Sequence, residues 1–155
     1  MMKSTPDACS KTDVNNNYLL EDIQMLKQGI LGKEQTIVSH SNSAVSMGSG
    51  SLEVFSTPSM IALMECACAN SVKNHLEPGK TTVGVSIEAK HISATPLGMT
   101  VYCESKLTEV DGKRLVFKVT ALDKCGIIGT AKHERMIVDA KKLMEKAASK
   151  KEFKA

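Results

Sequence analysis

The sequence predicts an α+β fold in which a curved antiparallel β-sheet wraps around one long central helix. Three observations carry it: one strong helix pattern in the middle of the chain, strand patterns joined by tight turns throughout the second half, and a length of 155 residues, which suits a single domain of two packed layers. The helix pattern is apolar around more than half of its circumference, and one apolar helix needs a concave sheet to cover it.

Residues 1–17 are rich in Ser, Thr, Asp, Asn and Lys and are expected to form a disordered N-terminal extension. Tyr18-Leu19-Leu20-Glu21-Asp22-Ile23 reads as a short helical turn or docking segment, and residues 26–38 as a strand broken at Gly29 and Gly32. Residues 42–47 read as a second extended segment. Gly48-Ser49-Gly50-Ser51 then interrupts regular structure; without a Gly-Lys-Ser/Thr ending it is no phosphate loop, only a flexible entry to the helix.

In the helix, Thr57 is a natural N-cap and Pro58 fits the first helical position. Good helix formers continue over residues 59–76 until Glu77-Pro78-Gly79 stops them, with Ile61, Leu63, Met64, Ala67, Cys68 and Val72 supplying the apolar surface. After the stop, Val83, Val85, Ile87 and Ala89 alternate with Gly84, Ser86, Glu88 and Lys90, which predicts a half-buried strand with the first set and His91 facing inward. Strands over 99–110 and 113–122 flank the hairpin signal Asp111-Gly112, and Asp123-Lys124-Cys125-Gly126 turns into a last strand over 127–138.

Residues 139–155 form a basic tail, partly helical and solvated, since Leu143, Met144 and Phe153 give it only a thin apolar stripe. The domain plan is thus an extension (1–17), a folded domain (18–138) and a tail (139–155). This layout is the hotdog architecture. It leaves edge strands and part of the helix uncovered, which a twofold homodimer would hide by continuing the sheet into its partner.

A net charge of +3, with three Phe, two Tyr and no Trp, argues against nucleic acid. The absence of an eighteen-residue apolar run and of a signal-sequence core argues against a membrane and for the cytoplasm. The five cysteines lack metal-ligand spacing and read as reduced thiols; Cys66 and Cys68 lie about 200° apart on a helix and behave as small hydrophobes, so no metal is expected. The nine methionines read as core filler.

Glu65 is the residue hardest to explain by packing. A carboxylate amid apolar helix residues loses hydration and must gain a partner, a proton or a task. A hydroxyl at Thr57 and an imidazole at His91 make that task acyl chemistry. Each neighbour has a structural alternative: Thr57 as a plain N-cap, His91 as a satisfied core histidine. His40, His75 and His133 have no comparable context and read as surface or strand residues.

These residues carry a family resemblance. Val54-Phe55-Ser56-Thr57 at the helix start, Leu63-Met64-Glu65-Cys66-Ala67 within it, Leu76-Glu77-Pro78-Gly79 at its end and His91-Ile92-Ser93-Ala94-Thr95-Pro96 after the next strand resemble the fluoroacetyl-CoA thioesterase family of hotdog enzymes. The similarity continues through Val110-Asp111-Gly112-Lys113-Arg114-Leu115 to Gly129-Thr130-Ala131-Lys132-His133-Glu134-Arg135. It implies an acyl-CoA thioesterase with a catalytic set of Thr57, Glu65 and His91, a backbone amide from Gly84 at the thioester, Arg135 near the substrate, and no cofactor beyond the coenzyme A of the substrate. Arg135 has its own structural alternative, pairing with Glu134 or Glu88 on the sheet surface. Aromatic residues that line and lid the fluoroacetate pocket would fall on Gly48 and Ser51, so the implied substrate is another short or medium acyl-CoA.

Thr57 and Glu65 are eight residues apart, roughly 12 Å along one helix, beyond a direct hydrogen bond. A site that uses both is therefore expected to be composite, Glu65 of one subunit meeting the helix start of the other. There Glu65 attacks the carbonyl or deprotonates a water, His91 activates water or protonates the departing thiolate, and Thr57 orients by its hydroxyl. A non-catalytic acyl-CoA-binding module and a hotdog hydratase or dehydratase are the competing function classes.

Overall fold

The computed structural model describes residues 25–153, so the expectations for 1–17 and for Tyr18 to Ile23 lie outside the described residues. Five antiparallel strands form one sheet in the order β1-β3-β4-β5-β2. They are β1 (Leu31–Ile37), β2 (Lys80–His91), β3 (Thr100–Asp111), β4 (Arg114–Asp123) and β5 (Gly126–Asp139). Helix α1 (Thr57–Val72) touches every strand, β1 and β3 most, and α2 (Ala140–Ser149) follows β5 directly.

The helix is terminated much as its sequence demands, with one shift at its start. Ser56, not Thr57, is the N-cap: its side chain accepts from the Ser59 N–H at 3.1 Å, and Pro58 lies in the first turn. Thr57 is already helical, which frees its hydroxyl. At the other end α1 stops at Val72 and tightens into a 3₁₀ turn over Lys73–His75, short of the expected Leu76.

Burial on α1 is narrower than the sequence suggested. Met60, Met64, Ala67, Cys68 and Val72 are buried as one stripe of period three to four, while Ile61 and Leu63 are only half-buried. The stripe meets Val101, Cys103, Leu107, Leu115, Phe117 and Ile128 from the sheet. Gly32 does not break β1 but lies within it, where a Cβ would collide with the Ala67 carbonyl and Ser105 of the neighbouring elements. The glycine is there for close helix–sheet approach.

Residues 42–47 are not a strand. His40–Asn42 form a 3₁₀ turn, only Ser43 makes an isolated bridge, to Phe55, and Met47 N–H donates back to the Ser43 carbonyl at 3.0 Å. Alternation alone misread a segment whose serine and asparagine side chains satisfy the local backbone instead, as when Asn42 Nδ2 donates to the Ile37 carbonyl at 3.0 Å.

The register of β2 carries the main correction. Its pairing with β5 matches Gly84 with Arg135 and then skips Val85 to match Ser86 with Glu134. This bulge re-phases the strand. Thr82 and Gly84 face α1 before it, Ile87, Ala89 and His91 after it, and Val85 is turned out, 55% exposed. Val83 and Val85 are therefore not core residues, and Gly84 shares a face with His91 despite opposite parity.

The Asp111-Gly112 hairpin forms as expected, with Gly112 at φ 57°, and Asp123 Oδ1 accepts from the Cys125 N–H at 2.8 Å in the next turn. The four cysteines among the described residues are free thiols, Cys68 and Cys103 buried, Cys66 and Cys125 exposed; Cys66 is thus no core hydrophobe. No helix among the described residues is long and apolar enough to cross a membrane.

Candidate active site

Thr57 and His91, 34 residues apart, are joined by pairing between the segments that flank α1 and β2. Val54 bridges Pro96, and Phe55 N–H donates to the Thr95 carbonyl at 2.8 Å. The buried Thr95 hydroxyl donates to Asp123 Oδ2 at 2.9 Å, tying this crossing to the β4–β5 turn. With both backbones held, Thr57 Oγ1 lies 2.8 Å from His91 Nδ1.

The second ring nitrogen of His91, Nε2, is buried and makes no hydrogen bond of ordinary geometry. Burial pushes the His91 pKa below the usual imidazole value, with the Ser93 backbone acting weakly the other way. The pair borders a cavity of about 310 Å³ that Ala44, Ser49 and Val54 help to line. Ser49 belongs to the Gly-Ser segment, which is not a loose entry but a hydrogen-bonded turn, Ser49 N–H donating to the Ala44 carbonyl at 3.0 Å.

Two turns further along α1, Glu65 faces the β2 bulge. Its Oε2 lies 3.5 Å from Arg135 Nη1, and its side chain is 41% exposed in the single chain, so it is neither solitary nor sealed. A Cβ at Gly84 would stand 2.8 Å from that oxygen, so only glycine lets the carboxylate rest against the strand backbone. Arg135 is 6% exposed; its Nε donates to Thr82 Oγ1 at 2.8 Å and its Nη2 to the Thr82 carbonyl at 2.9 Å. It does not pair with Glu134 or Glu88. Glu134 points to the other face, where Arg114 donates to both of its oxygens at 3.0 and 3.2 Å.

His133 is the residue the sequence reading missed. It is not on the surface but 1% exposed, its Nε2 lying 3.1 Å from Arg135 Nη1 and 4.0 Å from Glu65 Oε2. The available signal was spacing: in a strand, residues 133 and 135 share a face, so an inward Arg135 brings His133 with it. One chain therefore presents two clusters: Thr57 with His91 at the start of α1, and Glu65 with Gly84, Arg135 and His133 about two turns on.

Comparison with known proteins identifies the family. A family model for fluoroacetyl-CoA-specific thioesterases matches residues 38–141. This chain belongs to that family. It is a thioester hydrolase with a hotdog fold. The fluoroacetyl-CoA thioesterase of Streptantibioticus cattleyicolor is 40% identical over 98 residues, 63% of this chain and 70% of the relative. A solved structure of fluoroacetyl-CoA thioesterase superposes with a TM-score of 0.78 at 31% identity, covering 82% of this chain and 98% of the other. A hot-dog-like protein from Thermanaerovibrio acidaminovorans reaches 0.74 at 26% identity, over 83% and 94%.

Proposed function

We propose that the protein hydrolyses a short or medium acyl-CoA thioester to the free acid and CoA, at a site assembled across a homodimer from Glu65, Gly84 and Arg135 of one subunit and Thr57 and His91 of the other. The observation that carries this reading is the split itself: complementary groups for one reaction, separated by roughly 12 Å of helix within each chain. The long β2 edge, with Val85 turned outward at the bulge beside Glu65, supports sheet continuation into a second copy.

Glu65 supplies the electron pair that attacks the thioester carbon, directly or through a water, and Arg135 holds the carboxylate in place through Nη1. The Gly84 N–H is the donor for the developing oxyanion; one such donor is worth about 3 kcal/mol. His91, neutral at rest, takes up the proton that the water gives up and passes it to the departing thiolate, while Thr57 fixes its ring; after direct attack, that water cleaves the acyl–Glu65 anhydride to release the acid. The family's named substrate is fluoroacetyl-CoA, but Gly48 and Ser51 stand where aromatic residues of the fluoroacetate pocket would fall, which favours a different short or medium acyl group. No cofactor enters apart from the substrate's own CoA, and the free thiols fit a cytoplasmic setting.

The test is thiol release over a panel of acyl-CoAs, with Glu65→Gln, His91→Ala and the hybrid dimer carrying one of each. A composite site gives two inactive parents and a hybrid at about half of wild-type activity, because one of its two sites is intact. An inactive hybrid places the whole set in one chain, and binding without thiol release by the wild type leaves an acyl-CoA-binding module.

A further inference from the structure

His133 takes no part in the hydrolytic set, yet it is more deeply buried than any member of it. Its Nδ1 lies 2.8 Å from the Ser86 carbonyl, which can only accept, so Nδ1 carries the proton. Its Nε2 lies 3.1 Å from Arg135 Nη1, which can only donate, so Nε2 must offer its lone pair. Two contacts of opposite polarity leave one possible form, the neutral imidazole protonated at Nδ1.

The Ser86 carbonyl is available because the β2 bulge ends there. On the other side Arg135 is fixed by Thr82 through Nε and Nη2, leaving Nη1 to be shared between His133 and Glu65. We propose that His133 is a positioning residue: by accepting from Arg135 it aims the Nη1 edge at Glu65, and its protonation switches the carboxylate out of its working position. This rests on Glu65 being the reacting carboxylate.

Protonation puts an N–H of His133 against an N–H of Arg135, two cations at buried positions. Glu65, 4.0 Å from the ring, is then drawn inward to the imidazolium and away from the thioester. The charged groups facing the ring are Arg135 from its own strand and Glu65 from α1. From β4 it meets the Phe117 ring, centroid to centroid 6.4 Å, and from β2 the Ser86 carbonyl and Ile87. Cys68 on α1, its thiol pushed up to about 12 chiefly by burial, stays neutral. Burial foremost, with Arg135, lowers the His133 pKa, while the Ser86 hydrogen bond and Glu65 partly offset them.

Acid inactivation should therefore need two protons, one at His91 and one at His133. The test compares His133→Gln, whose amide oxygen still accepts from Arg135 but does not titrate, with His133→Leu, which has no acceptor. With the best-turned-over acyl-CoA of the panel, His133→Leu is expected to lose about a hundredfold in kcat with KM nearly kept, and His133→Gln to stay within about tenfold. Well below pH 6.5 the acid limb of log kcat should fall with a slope approaching two in the wild type and one in His133→Gln. Equal slopes in the two proteins, or undiminished kcat in a folded His133→Leu, overturn the proposal. Long-range ¹H–¹⁵N spectra of the imidazoles separate this from the hydrolase reading: near pH 8 the His133 ring should be protonated at Nδ1 whether or not any thioester is cleaved, and protonation at Nε2 rejects the positioning role on its own.

Discussion

The two clusters on α1 solve different physical problems. At the helix start, Thr57 and His91 are held by backbone crossings and joined by one hydrogen bond between neutral groups beside an open cavity. Two turns on, Glu65 is one side of a charged network whose inner wall, Arg135 and His133, is buried. The first can be rebuilt locally by a side chain of similar size. The second cannot, because removing one member leaves buried groups unpaired; leaving a buried charge unpaired typically costs about 3–5 kcal/mol.

The largest expected break falls on the second cluster. Glu65→Gln should lower kcat by about a thousandfold, and combining it with His91→Ala should cost far less than the product of the two, since both serve one step. Thiol release measured for the singles and the double checks this. Gly84→Ala comes next: its new methyl displaces the Glu65 carboxylate from the strand, so kcat should fall about a hundredfold, with the fold intact by circular dichroism.

The first cluster is sharpened by separating the cap from the chemistry. Ser56→Ala should cost about 1 kcal/mol in urea unfolding and little activity, whereas Thr57→Ala should cost activity and no cap, with Thr57→Ser restoring most of it. Stability should also be pH-dependent. His91 and His133 both titrate below the ordinary imidazole value of 6.5, so as pH falls beneath it the unfolded chain takes up protons that the folded one refuses, and stability drops. Above about 6.5 neither contributes, and His133→Gln should make the acid-side loss shallower in denaturant titrations. The smallest effect belongs to Arg114→Ala: although Arg114 binds Glu134 and Glu109, it stands on the outer face, and turnover should be unchanged within about twofold.

Much of this was legible from residue order. The helix with its Pro58 start, the Asp111-Gly112 hairpin and the strand-rich second half are local signals, set by turn chemistry and by periods of 3.6 and 2. Thr57, Glu65 and His91 stood out by their own chemistry, Gly84 and Arg135 by family resemblance alone, and no local rule would have grouped all five. What misled was also local: Thr57 looked like a cap because Ser56 and Thr57 are both capping residues, and Val85 looked buried because alternation assumes a strand without a bulge.

The sequence by itself determined most of the element types and the family, because both are written in short-range patterns of side-chain chemistry. Only the tertiary structure decided which groups meet. The β2 bulge turned Val85 outward and brought Gly84 and His91 to one face, the crossing at Phe55 and Thr95 delivered Thr57 to His91, and pairing of β2 with β5 enclosed His133 between Ser86 and Arg135. Those outcomes depend on register between segments distant in the chain, and a one-residue change of register reverses every facing side chain.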